Sequence, residues 1–194
     1  SLVDATTVLL AASAPQYPHG VVDPIGDVSE IALRRKIPFH VDACVGGYVL
    51  PWVERLGYRV PLWDFRVPGV TSISADLHKY GFTTKGASTV LYRDMTYLRH
   101  QFFVSTDFPG GIYASPTAAG TRPGGAIAAA WASLMTLGEE GFLHHTDRAM
   151  KATQALVSGV ESIPELELVA KPDATVVAWR TKPQSKMDTY VVAD

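Results

Sequence analysis

Apolar and polar positions along the first half of the chain predict short strands separated by helices. Residues 7–12 (Thr-Val-Leu-Leu-Ala-Ala) read as a buried strand. Residues 13–20, rich in Ser, Pro and Gly, read as a loop. Asp23-Pro24 opens a helix with Pro24 at its first position. Val28, Ile31, Ala32 and Arg35 then recur at helical spacing, and Pro38 stops the run. Residues 39–43 predict a second strand. Gly46-Gly47 permits close backbone packing, and residues 48–56 predict a helix capped by Gly57. Residues 63–68 lead as a loop into a third strand. There Val70, Ile73 and Ala75 are apolar and Thr71, Ser72 and Ser74 are small and polar, which suits burial on both faces. Residues 87–92 predict a fourth strand. This alternation implies an α/β layered domain with a largely parallel sheet, whose ligand groups gather at the carboxyl ends of the strands.

The second half has a different texture. Residues 102–104 form a short apolar run, and residues 106–125 read as one long loop containing Gly110, Gly111, Gly120, Gly124 and Gly125. A loop of that length in a compact domain usually carries function. Residues 126–137 are alanine-rich and helical by propensity, and residues 141–160 predict a second, amphipathic helix. From Pro164 the pattern changes to short strands at 166–169 and 175–179. The division expected is a large domain over 1–138, a connecting helix over 139–163 and the start of a small α+β domain over 164–194. Ser1 opens without a methionine, and Asp188 suits the N-cap of a helix starting in the last residues. The chain is therefore expected to be a segment of a longer protein.

With 194 residues, 47% of them hydrophobic, the chain has material for one globular domain or a large part of one. The net charge of −2 and the lack of a Lys/Arg block argue against nucleic acid as the main partner. Arg34-Arg35-Lys36 is more simply the last turn of a helix, where cations favour the dipole. Cys44 is the only cysteine, so no intramolecular disulfide is possible. That fits a reducing, cytoplasmic compartment. No signal peptide is recognisable, and no apolar run has the length a bilayer needs, so no membrane segment is expected in this chain.

The chemistry concentrates at residues 72–81, Ser-Ile-Ser-Ala-Asp-Leu-His-Lys-Tyr-Gly. A strand breaks there into a polar turn that presents His78 beside Lys79, with Gly81 as a tight exit. A lysine at the mouth of a buried strand is costly to desolvate unless it is neutral or bound as an imine to a carbonyl cofactor. Taken alone, such a pair is most often a surface turn. Asp42, however, ends the neighbouring predicted strand. A pyridoxal phosphate site needs this pair: an amine for the aldehyde, and a carboxylate that keeps the ring nitrogen protonated so that the ring accepts electrons. Asp42 serves equally well as a helix N-cap or a buried ion-pair member. His78 and Ser74 suit a phosphate contact, or a satisfied loop histidine and a small strand residue. Lys85 is a second active-site cation or a solvated loop lysine.

The run His40-Val41-Asp42-Ala43-Cys44-Val45-Gly46-Gly47, followed by Gly69-Val70-Thr71-Ser72-Ile73-Ser74-Ala75-Asp76-Leu77-His78-Lys79-Tyr80-Gly81, resembles the group II pyridoxal-phosphate-dependent decarboxylases. The loop at 13–20 and the stretch at 110–125 resemble the carbon–carbon lyase branch of that group, which acts on phosphorylated sphingoid bases. The resemblance covers essentially the whole chain. It implies the aspartate aminotransferase type I fold, with a cofactor-binding large domain and the start of the small one. It implies pyridoxal 5'-phosphate as cofactor, Lys79 as the Schiff-base lysine, and Lys79, Lys85 and Tyr113 as the catalytic set. The implied cofactor-binding residues are Asp42, Ala43, Ser74, His78, Lys79, Gly120 and Thr121. Gly120 and Thr121 match loop residues that reach the phosphate of the neighbouring subunit's cofactor, so a homodimer with shared sites is implied. The family usually has Ser where Thr121 stands, and the hydroxyl is retained. The implied reaction is a retro-aldol cleavage to a long-chain aldehyde and phosphoethanolamine. Amino-acid α-decarboxylation and a non-catalytic remnant are the alternatives. The family's stacking histidine and phosphate-binding loop have no match in this chain, so the isolated segment is expected to be inactive.

Overall fold

The computed structural model describes residues 2–193. Its centre is a four-stranded sheet of β1 (Leu10–Ser13), β2 (Phe39–Asp42), β3 (Ser72–Ala75) and β4 (Thr89–Tyr92), in that spatial order. The first three strands run parallel and β4 is antiparallel to β3. Between β1 and β2 lies α1 (Ile25–Arg35), and between β2 and β3 a 3-10 turn and α2 (Leu50–Arg55). The mainly parallel α/β reading of the sequence is therefore correct.

Period-two alternation decides what each face of the sheet does. Phe39 and Val41 of β2 point into the core and are completely buried. They share one core cluster with Ile25 and Ala32 of α1, Val49, Leu50 and Val53 around α2, Val70 just before β3 and Ile73 within it. Burying a side chain the size of Phe39 contributes about 1.5–3 kcal/mol. The intervening His40 and Asp42 lie half-buried on the opposite face. Register places Ser13, Asp42 and Ser74 in one row across three strands, and His40 beside Ser72 in the next. Ser72 and Ser74 are thus only half-buried on a polar face, so β3 is fully buried on one face and not on both as its sequence suggested.

Two glycines let the Asp42 loop sit where it does. A Cβ on Gly46 would lie 2.0 Å from the Ala14 carbonyl oxygen, and one on Gly47 would lie 2.4 Å from the Ala75 Cβ. The loop therefore closes directly over the ends of β1 and β3, as the Gly-Gly pair predicts. Arg93, just past β4, donates to the carbonyls of Phe65, Val67 and Val70 at 2.7–3.0 Å and ties down the chain entering β3.

Beyond β4 come α3 (Met95–Leu98), a hairpin of β5 (Phe103–Ser105) and β6 (Tyr113–Ser115), and α4 (Gly124–Ser162). The 106–125 stretch is thus not structureless. Its three-residue strand is too short to register as a periodic pattern among glycines and prolines. The two helices expected at 126–137 and 141–160 are the two halves of α4, broken at Gly138, whose φ of 54° and ψ of −169° are non-helical. The last elements are β7 (Leu166–Leu168), β8 (Trp179–Thr181) and α5 (Thr189–Ala193), the last opened by Asp188, which accepts from the Tyr190 N–H. The strand expected at 175–179 lies later in the chain. Residues 174–176 instead run against the Gly20 loop, where Asp173 accepts from the Val22 N–H, and pairing with β7 begins only at Trp179. No helix among the described residues is long and apolar enough to cross a membrane.

Candidate active site

The carboxyl ends of β2 and β3 bring Asp42, Ala43, Ser74, His78 and Lys79 together. Ala43 donates its N–H to the Ser74 carbonyl at 3.0 Å and so locks the two strand ends to each other. Asp42 Oδ1 accepts from the Cys44 N–H at 3.0 Å and from the Ser74 hydroxyl at 2.9 Å. Burial acts to raise its pKa. The donors from Cys44 and Ser74 and the nearby His40 outweigh this and hold the carboxyl below its usual range. Asp42 is neither an N-cap nor, among the described residues, an ion-pair member. It is an ionised acceptor without a cation.

The acceptor end fixes the direction of a longer chain of hydrogen bonds. Ser74 Oγ gives its proton to Asp42, so its lone pair receives from His40 Nε2 at 3.3 Å. His40 Nδ1 must then accept from the Ser72 hydroxyl, 2.8 Å away. Burial pushes the His40 pKa down against the pull of Asp42, which agrees with a neutral ring carrying its proton on Nε2.

Lys79 Nζ donates to Cys44 Sγ at 2.9 Å and lies 3.0 Å from Asp76 Oδ2. Burial acts to lower the amine, but Cys44 and Asp76 prevail and its pKa is raised. Asp76 offsets the cost of placing this amine at the mouth of the strand. Asp76 is itself held low: burial acts to raise it, and Ser88, Lys79 and His78 together outweigh that effect. Cys44 therefore bridges acid and amine, its N–H on Asp42 and its sulfur on Lys79. Burial above all, with the adjoining carboxylate, pushes its thiol up, although Lys79 pulls the other way. His78 donates from Nδ1 to the Ala87 carbonyl at 2.7 Å and faces Asp76 through Nε2 at 3.5 Å. The turn is tight because a Cβ on Gly81 would lie 2.4 Å from the Leu77 carbonyl oxygen.

The other expected residues lie apart. Lys85 is exposed on the loop before β4. Tyr113 projects from the β5–β6 hairpin against Phe103 and Phe108, and Gly120 and Thr121 follow it in the same excursion. Among the described residues none of these four makes a hydrogen bond or ion pair with Lys79 or Asp42. Sequence reasoning assigned no role to His40, Ser72, Cys44 or Asp76. His40 and Cys44 flank Asp42, and Asp76 precedes Lys79 by three positions, which is the signal that was available. A cavity of about 780 Å³ lies elsewhere, lined by Tyr58, Arg59, Met150, Gln154 and Lys171. It holds none of this chemistry.

Ser74→Ala removes one donor from the Asp42 carboxylate and should cost about 0.5–1.5 kcal/mol at neutral pH. Because the Asp42 pKa is depressed on folding, its contribution is present above the unfolded-state value, about 3.9, and is lost as pH falls through the lower folded-state value. The stability gap between Ser74→Ala and wild type should therefore shrink in acid. Urea unfolding at neutral and acidic pH measures it, and an equal gap at both would contradict the assignment.

The donor set fits pyridoxal phosphate: an amine for a carbonyl carbon, and an ionised, cation-free carboxylate for a pyridinium N–H. Comparison with known proteins agrees. Residues 8–182 match the pyridoxal-dependent decarboxylase conserved domain. The chain is 49% identical over 192 residues to sphingosine-1-phosphate lyase of Arabidopsis thaliana, covering 99% of this chain and 35% of that protein. It is 50% identical over 177 residues to sphingosine-1-phosphate lyase 1 of Rattus norvegicus, covering 91% and 31%. The solved structure of Burkholderia pseudomallei sphingosine-1-phosphate lyase superimposes with a TM-score of 0.94 at 46% identity, covering all of this chain and 43% of that one. The chain thus spans about a third of the length of these curated relatives.

Proposed function

Because the chain belongs to the pyridoxal-dependent decarboxylase family, we propose that it is part of a pyridoxal-phosphate-dependent carbon–carbon lyase acting on a phosphorylated sphingoid base. The observation that carries this is the pairing of Asp42 and Lys79 at adjoining strand ends, bridged by Cys44. The similarity to the lyases over nearly the whole chain supports the choice of substrate class. In this reading residues 1–138 belong to the cofactor-binding large domain, 139–163 form the connection and 164–194 begin the small domain. The free thiol of Cys44 fits a reducing, cytoplasmic setting.

When bound, pyridoxal phosphate supplies a ring that takes up the electron pair released as the carbon–carbon bond breaks. Lys79 would hold the carbonyl carbon of the cofactor, after giving up the proton that Asp76 and Cys44 now stabilise. Asp42 would accept the ring N–H, and Ser74 with His40 would keep its carboxylate aimed and ionised. Ala43 would line the ring and His78 would contact the phosphate, whereas the Ser74 hydroxyl, already donated to Asp42, would bind the cofactor only through that carboxylate. Lys79, Lys85 or Tyr113 would move the protons, including the one taken from the substrate hydroxyl. The products would be a long-chain aldehyde and phosphoethanolamine.

Gly120 and Thr121 would serve the site of a second copy of the chain. That reading is supported by the exposed apolar side chains of the hairpin segment that precedes them, Phe103, Val104, Phe108 and Ile112. A homodimer with shared sites follows. The test is product analysis with the intact protein and pyridoxal phosphate. Aldehyde and phosphoethanolamine are expected from a phosphorylated sphingoid base. Carbon dioxide from glutamate or an aromatic amino acid, without aldehyde, would establish an α-decarboxylase instead.

A further inference from the structure

The turn that carries Lys79 leaves the sheet through a backbone geometry that needs outside support. Phe82 has φ of 55°, in the left-handed region that bulky residues rarely adopt. Such a geometry persists only where its surroundings over-determine it. Within the turn, the Phe82 N–H donates to the Lys79 carbonyl at 3.1 Å and the Thr83 N–H to that of Leu77 at 3.4 Å. From α4, the Ser133 hydroxyl donates to the Phe82 carbonyl at 3.3 Å. The Phe82 ring lies against Phe142 and His145 of α4, with centroids 6.0 and 5.2 Å apart. The break at Gly138 falls between Ser133 and Phe142, so the two halves of α4 hold Phe82 by its carbonyl and by its ring.

Phe142 is buried, 3% exposed, and its other neighbour is Trp52 of α2, stacked at 5.2 Å with the planes 8° apart. Arg55 lies over Trp52 and pairs with Glu139, which fastens α2 to α4 a second time. The loop after Asp42 runs directly into α2. One column of rings, Trp52–Phe142–Phe82, therefore joins the element that follows Asp42 to the turn that follows Lys79.

We propose that Phe142 and Phe82 are positioning residues: the aromatic column fixes the spacing between the Asp42 carboxylate and the Lys79 amine. The proposal rests on the reading of Lys79 and Asp42 as the two ends of one cofactor site. A rigid aromatic ligand gripped at two points cannot absorb an error in that spacing, so loosening the column shows first in how fast the site closes on it.

The experiment uses the intact protein and two readouts. One is the rate at which saturating pyridoxal phosphate forms a borohydride-stable adduct on the Lys79 peptide. The other is hydrogen exchange of amides 77–83 without cofactor. Phe82→Ala should slow the adduct about tenfold, as modest misplacement does, and deprotect the turn while β2 stays protected. Phe82→Tyr, which keeps the ring, should behave as wild type. Phe142→Leu, which keeps apolar volume but loses the stack, should also slow the adduct. Wild-type rates in both Phe82→Ala and Phe142→Leu would overturn the proposal. If wild type itself forms no adduct at Lys79, the functional reading fails. The column is then judged by exchange alone, where an undisturbed turn in Phe82→Ala rules it out and a deprotected turn upholds it.

Discussion

Lys79→Ala, in the intact protein supplied with pyridoxal phosphate, yields no borohydride-stable adduct at the lysine turn and no turnover. Lys79 is the amine at the mouth of the sheet, 2.9 Å from Cys44 Sγ and 3.0 Å from Asp76. Lys85 is exposed on the following loop, and it is Lys79 that Cys44 and Asp76 hold. Removing the nucleophile from a set of residues that act together lowers turnover by on the order of 10⁴-fold or more. Peptide mass mapping after borohydride reduction is the direct measurement. A full-strength adduct in the variant, on Lys85 or any other lysine, would move the anchor away from Lys79.

Asp42→Asn should separate binding from chemistry. The amide keeps the volume and still accepts from Ser74 and the Cys44 N–H, so the loop should hold its shape and the adduct on Lys79 should still form. What is lost is the negative charge, held in place by donors and facing no cation. An amide does not hold a ring nitrogen protonated, so the electron-accepting power of the site falls. The expected loss in turnover is on the order of 10²–10³-fold, the scale of a preorganised electrostatic group. Steady-state assay beside adduct formation measures both. Turnover within twofold of wild type would remove Asp42 from the mechanism.

Much of this site was legible in the chain because strand periodicity is local. Alternation within residues 39–43 and 70–75 already places Asp42 and Ser74 at strand ends, and the polar break at His78-Lys79 marks the mouth of the sheet. What was not legible depends on register between distant strands. His40 meets Ser72 and Ser74 across 32 and 34 residues, and Cys44 meets Lys79 across 35. No window along the sequence contains both partners. The ion pair from Asp76 was within reach, three residues from Lys79, yet the same residues read equally well as an ordinary turn. The β5–β6 hairpin escaped for another reason: strands of three residues among glycines and prolines leave no period to detect. The left-handed Phe82 had no sequence signal, since glycine or asparagine is the usual occupant of that geometry.

Among the described residues the order β1-β2-β3-β4 leaves β1 and β4 as the outer strands of the sheet, and Val90 and Leu91 of β4 are both exposed. Outer strands of this kind offer main-chain donors and acceptors to any extended peptide that arrives alongside. A net charge of −2 provides little mutual repulsion between copies. Concentrated preparations of this stretch alone will therefore tend to stack laterally into ribbons, and a lysine in place of Val90 is the direct remedy.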